Sequence, residues 1–126
     1  MSLDHIRVSK QAREQLIRIK RHTGIEHWNI LCRWAFCRSL AEASVPPPAR
    51  IVTDSNVEMS WRVFGGTHQA LYLALLKERC LRDGLGTNED VLETQFRLHL
   101  HRGIAYLAGD RRIRDGAAAF VGLAID

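Results

Sequence analysis

The sequence predicts a mainly helical protein with a ribbon–helix–helix-like N-terminal unit, further helices towards the C-terminus and a short extended hairpin between them. Three observations predict it. Four stretches carry apolar residues at helical spacing, each preceded by a Ser or Thr suited to capping a helix. A short polar–apolar alternation, His5-Ile6-Arg7-Val8, precedes the first of them as a strand would. Pro46-Pro47-Pro48 stops the second helix and stiffens the connection to the next segment.

Taken in order, Ser9 is the N-cap of a helix over Lys10–His22. Ala12, Leu16 and Ile19 fall on one face of it, and Gly24 ends it in the left-handed conformation. Thr23 and Glu26 have the spacing of a capping box for a second helix from Glu26 to Ala43. Its apolar residues, among them Trp28, Trp34 and Phe36, cover much of the circumference, which predicts self-association. Arg50–Thr53 and Val57–Phe64 read as the two arms of the hairpin around an Asp54-Ser55-Asn56 turn, with Val57, Met59, Trp61 and Val63 on one face. Gly65-Gly66 breaks that pattern. Thr67 then caps a helix to about Arg82 with Leu71, Leu75 and Leu76 inward. After the Asp83-Gly84-Leu85-Gly86 loop, Thr87 caps a fourth helix to Ala108, which Gly109 ends, and Asp110–Asp126 reads as a partly helical tail.

The 126 residues suffice for one core and not for two, so residues 1–126 are expected to form one domain. Hydrophobic residues make up 46% and charged residues 25%, the mix of a soluble globular chain. No apolar run is long enough to span a bilayer, and Met1–His5 has no secretory leader pattern. The odd number of cysteines, Cys32, Cys37 and Cys80, all within apolar helical patterns, predicts buried, inert free thiols and a cytoplasmic setting.

Charge is the first functional signal. Residues 1–44 hold eight basic groups against four acids, while residues 45–126 hold ten of each, so the net charge of +4 belongs to the first third. Localised positive charge attracts polyanions, nucleic acid foremost; the bland alternative is a solvated basic face without a partner. On the first helix Lys10, Arg13, Lys20 and Arg21 form a stripe at about 100° per residue, with Ile17 inside it and Glu14 beside it. A row of cations on one helix can neutralise several phosphates together, a contact that fixes position without reading bases. Arg7, Arg18 and Lys77 complete the candidate DNA contacts, and Arg7 and His5 are placed to meet base edges if the strand enters a groove.

Catalytic and cofactor chemistry find no constellation. His99 and His101 are two apart on a helix and diverge by about 200°, so they cannot share an ion, and His22 and His27 lack a third ligand. Three cysteines fall short of the four thiolates of an iron–sulfur cluster. Gly65-Gly66-Thr67 precedes a helix but lacks both glycine-rich phosphate-binding orders. No cofactor, metal or catalytic residue is therefore expected. An enzyme using the stripe as an anion site remains the third reading, behind a DNA binder and a protein-interaction adaptor.

The segments Ile6–Ala12, Thr23-Gly24-Ile25 and Asn29–Ala35, then Phe64-Gly65-Gly66 and the helix capped at Thr87, resemble the DndE family of bacterial DNA sulfur-modification proteins over nearly the whole chain. The resemblance implies a DNA-binding accessory role in phosphorothioation, where sulfur replaces a non-bridging phosphate oxygen. It also implies a homo-oligomer, expected as a tetramer, and partners that include a cysteine desulfurase, an iron–sulfur protein and an ATPase. The matching motifs are structural and name no mechanism; with the basic helix, the expected ligand is duplex DNA, with a nick or distortion as the candidate preference.

Overall fold

The structure, a computed structural model, describes residues 2–114. It is mainly helical, as expected, and the early order of strand, helix, helix is present. Strand β1 (Ile6–Arg7) leads into helix α1 (Lys10–Thr23). The Ser9 side chain accepts the Ala12 N–H at 3.1 Å, and Gly24 at φ 74° closes the helix on the Lys20 carbonyl. Ala12, Leu16 and Ile19 are buried, as their spacing requires.

Helix α2 (Trp28–Leu40) is shorter than its apolar pattern suggested. The capping box does not form. Thr23 ends α1 instead, donating its hydroxyl to the Ile19 carbonyl at 2.8 Å and accepting from the Ile25 N–H at 3.2 Å. Phe36 is fully buried, and Trp28 and Trp34 are partly buried against the chain's own core.

The middle segment departs from the expected hairpin. Arg50–Thr53 is unpaired, and β2 (Glu58–Met59) pairs antiparallel with β1, Ile6 opposite Met59 and Arg7 opposite Glu58. Asp54-Ser55-Asn56 is a turn, but one docked on the start of the chain. Ser55 Oγ donates to the Val8 carbonyl at 2.7 Å, and the Val8 N–H bonds the Val57 carbonyl at 3.2 Å. β1 thus finds its strand partner within its own chain. Beyond β2 the alternation fails because Ser60 caps a helix, α3 (Trp61–Gly65), its side chain accepting from the Val63 N–H at 3.1 Å. Trp61 and Phe64, one helical turn apart, then face inward and Val63 faces solvent.

A short 3-10 turn at Gly66–His68 leads into α4 (Gln69–Arg82), so Thr67 caps nothing. Leu76 is buried, Leu75 half-buried and Leu71 exposed. Asn88, not Thr87, caps α5 (Glu89–Gly109), accepting the Val91 N–H at 2.9 Å. A four-residue α6 (Arg111–Arg114) comes next, and the rest of the expected tail lies outside the described residues.

The long helix α5 organises the packing. It lies along α2, with α1 and α4 also against it, and α3 fills the space between α2 and α4. An interlocked set of rings joins these elements: Phe36 and Phe96 at 5.2 Å between centroids, Phe64 and Phe96 at 5.1 Å, Trp61 and Phe64 at 5.1 Å. The approach of α2 to α5 depends on Gly103. A Cβ there would stand 1.7 Å from the Ala35 carbonyl oxygen.

Candidate nucleic-acid interface

The buried residues of α1 fix which of its side chains face outward. With Ala12, Leu16, Ile19 and Thr23 inside, the opposite meridian carries Lys10, Glu14, Arg18 and Arg21, all exposed. Arg13, Ile17 and Lys20 lie on one flank and are half-buried. Lys20 reaches over the Trp28 ring at 4.9 Å, so this cation is anchored to α2 rather than loose in solvent.

Two of the predicted contacts already have carboxylate neighbours. Arg7 donates to Glu58 through Nε, at 3.1 Å, and through Nη2, and His5 Nε2 stands 3.1 Å from the same oxygen. The hydrogen bond from Arg7, then its charge, hold the Glu58 carboxyl below its ordinary value. Asp54 accepts the Lys10 backbone N–H at 3.2 Å and lies 3.9 Å from Lys10 Nζ, a loose exposed pair. Arg13 Nε is buried and has no hydrogen-bond partner among the described residues. Shallow clefts flank Lys10 on either side, one bordered by Arg13, Glu14 and Asp54, the other by Gln11, Gln15 and Arg50.

Six of the seven predicted residues belong to β1 and α1: Lys10, Arg18 and Arg21 share the outward meridian of α1, Arg13 and Lys20 lie on its flank, and Arg7 is on the strand against Glu58. Lys77 does not join them. It is exposed on α4, which packs chiefly on α3 and α5, whereas α1 packs on α5, α6 and α2.

The β1–α1 junction is held by a residue whose role its spacing does not reveal. His101 Nε2 accepts the Ser9 N–H at 3.1 Å, which places the ring proton on Nδ1, facing the Arg97 carbonyl at 2.8 Å. Burial pushes its pKa down, so the ring is neutral and can accept. His99 is fully buried, shares a hydrogen bond with Ser39 Oγ at 2.8 Å through Nδ1, and has no partner at Nε2 among the described residues. Burial first, then the charges of Arg79 and Arg102, lower it to about 4.

Those two arginines form the main polar construction of the interior. Arg79, 2% exposed, donates to Asp83 at 2.9 Å and to the carbonyls of Leu40, Ala43 and Ser44 at 3.0, 3.2 and 2.7 Å. Arg102 bonds Ser39 Oγ, the Ser39 carbonyl and the Ser44 carbonyl, each at 2.9 Å. Together they satisfy the carbonyls left over at the end of α2 and hold the chain that leads into the prolines.

The thiols are protonated rather than poised for attack. Cys32 is buried and pushed up to about 12, Cys80 is buried and raised, and Cys37, although an exposed residue, is raised by partial desolvation of its thiol. The exposure of Cys37 corrects the expectation of three buried thiols. Among the described residues no group of three or more His, Cys, Asp or Glu side chains is arranged to hold a metal ion, and no helix is long and apolar enough to cross a membrane.

A comparison with curated proteins gives no match. Two solved structures share the fold with TM-scores of 0.65. One, a glycine-to-lysine mutant of DndE described as involved in DNA phosphorothioation, is 22% identical, covering 85% of this chain and 98% of that one. The other, DndE from Escherichia coli B7A, described as involved in DNA phosphorothioation modification, is 25% identical, covering 82% of this chain and 96% of that one. The family described as DNA sulphur modification protein DndE matches residues 5–115, all but the two ends, and the chain belongs to that family.

Proposed function

We propose that this chain is a DNA-binding accessory component of the phosphorothioation machinery that meets the backbone of duplex DNA, nicked duplex included, through α1. The observation that carries the reading is the outward face of that helix, where Lys10, Arg18 and Arg21 are exposed and Arg13 and Lys20 flank them against the single acid Glu14. Such a row neutralises successive phosphates and releases their counterions. Arg7, on the preceding strand, would add a contact where DNA competes for it with Glu58. Lys77 would act, if at all, at a separate place. On this reading the chain is cytoplasmic and does no chemistry itself. The sulfur is handled by a cysteine desulfurase, an iron–sulfur protein and an ATPase of the same system, and the protein works as a homo-oligomer, a tetramer.

A second reading, an adaptor that assembles those partners without touching DNA, draws on one observation. α4 leaves Leu71 55% and Leu81 63% exposed, apolar surface suited to a protein contact. Binding to intact, nicked and single-stranded DNA of equal length, measured side by side, separates the two. The DNA reading predicts binding to both duplexes. Absence of binding to all three, with retained capture of the partner proteins, favours the adaptor.

A further inference from the structure

The two acids that meet cations of β1 and α1 come from one short segment, and a single anchor places them both. Ser55 donates to the Val8 carbonyl from Oγ at 2.7 Å and from its backbone N–H at 3.2 Å, and the Val8 N–H donates to the Val57 carbonyl at 3.2 Å. Val8, Ser55 and Val57 are buried, so the anchor is fixed. To one side of it, Glu58 accepts from Nε of Arg7 at 3.1 Å and from Nη2 on the same oxygen. To the other side, Asp54 accepts the Lys10 backbone N–H at 3.2 Å on Oδ1 and holds Oδ2 3.9 Å from Lys10 Nζ. All four side chains are between 41% and 76% exposed, so either carboxylate can swing away while the buried anchor stays.

These contacts are the ones a phosphate would make. Lys10 opens α1, so its N–H has no carbonyl partner within the helix, and an anion is favoured there. A guanidinium edge that gives two N–H donors to one carboxylate oxygen can give them equally to a phosphate oxygen. The pairing of the two strands does not require an acid at either place, since the rungs and the Ser55 anchor are made by main chain and a hydroxyl. We infer that the Asp54–Glu58 segment is an autoinhibitory clamp, its carboxylates holding the phosphate positions of Arg7 and Lys10 until a polyanion displaces them. Exposed pairs of this kind are weak, so the clamp lowers affinity by a modest factor and yields to a chain of phosphates that engages neighbouring cations together. For duplex DNA as the displacing ligand, the inference rests on the proposed function; for a short polyphosphate it does not.

Duplex binding at fixed salt is measured for the native chain, Asp54→Asn, Glu58→Gln and the two combined. Each replacement keeps an oxygen acceptor, so the Lys10 N–H and the Arg7 guanidinium retain a partner and the fold is preserved. Glu89→Gln, at an exposed acid opening α5, controls for net charge. Affinity should rise about threefold for each clamp variant and about tenfold for the pair, with no comparable rise in the control. The gain from Glu58→Gln should vanish when Arg7→Gln is also present, because Glu58 acts through Arg7. A pair variant that binds no more tightly than the control, or a Glu58→Gln gain that survives Arg7→Gln, overturns the clamp; a merely structural ion pair would lower the melting temperature and leave affinity unchanged or weaker. If neither the native chain nor the pair variant binds duplex, the proposed function falls, and tripolyphosphate decides the clamp. Followed by NMR at the Lys10 N–H and Arg7 Nε–H, tighter saturable shifts in the pair variant than in the native chain leave the clamp standing, and equal or absent shifts overturn it as well.

Discussion

Replacing Gly103 by alanine should be among the most damaging single-methyl changes the chain can suffer. The added Cβ would stand 1.7 Å from the Ala35 carbonyl oxygen and 2.4 Å from its carbon, against the 3.4 Å at which ordinary contact begins. These are backbone atoms within two helices, so no side chain can swing aside. α2 and α5 must part by about 1.7 Å locally, and a gap even half that size forfeits a quarter to a half of the dispersion energy across it. Leu31, Phe36, Leu100 and Ile104, all buried beside this contact, lose packing together. The expected cost is about 3 kcal/mol or more, beyond ordinary overpacking. For a chain of this size that corresponds to a fall in melting temperature of about 10–15 °C. Circular dichroism melts of Gly103→Ala and of Gly109→Ala make the comparison. Gly109, on the same helix, has nothing within 4 Å of a Cβ and no positive φ, so its substitution should be neutral or stabilising by a few tenths of a kcal/mol. Equal melts for the two variants would refute the packing argument.

Three further outcomes are expected. Arg79→Met leaves Asp83 and the carbonyls of Leu40, Ala43 and Ser44 without their donor, and should destabilise by about 3–5 kcal/mol in urea denaturation; a cost under about 1 kcal/mol would show that the end of α2 holds itself. His99 is lowered to about 4 in the folded chain, so its contribution is complete above pH 6.5 and lost as pH falls from there to 4, about 3 kcal/mol in all; His99→Gln should flatten the stability profile across that window. Thiol alkylation at pH 8 should modify Cys37 in the native protein and reach Cys32 and Cys80 only in denaturant, and early labelling of Cys32 would contradict its burial.

What could be read from the residues was whatever depends on near neighbours in the chain. Ser9, the apolar positions of α1 and Gly24 each act within a turn or two, and all three are found in place. The outward cations derive from the same periodicity. The hairpin failed because Val57, Met59, Trp61 and Val63 satisfy a strand period as well as Trp61 and Phe64 satisfy a helical one, and the choice fell to the Ser60 cap and to pairing with β1, 51 residues earlier at Arg7–Glu58. Arg79 looks like an ordinary cation at a helix end, yet its carbonyl acceptors lie 35 to 39 residues away. His101 likewise meets Ser9 across 92 residues.

The proposal that α1 lies against phosphates is tested most directly by the salt dependence of duplex binding, for the native chain and for Arg18→Glu combined with Arg21→Glu. Each phosphate neutralised contributes about 0.9 to the slope of log K against log salt, so a native slope near −4 is expected, falling in magnitude by about 2 in the variant while its melting temperature is unchanged. A native slope near zero, or a folded variant that keeps the native slope, would contradict the assignment.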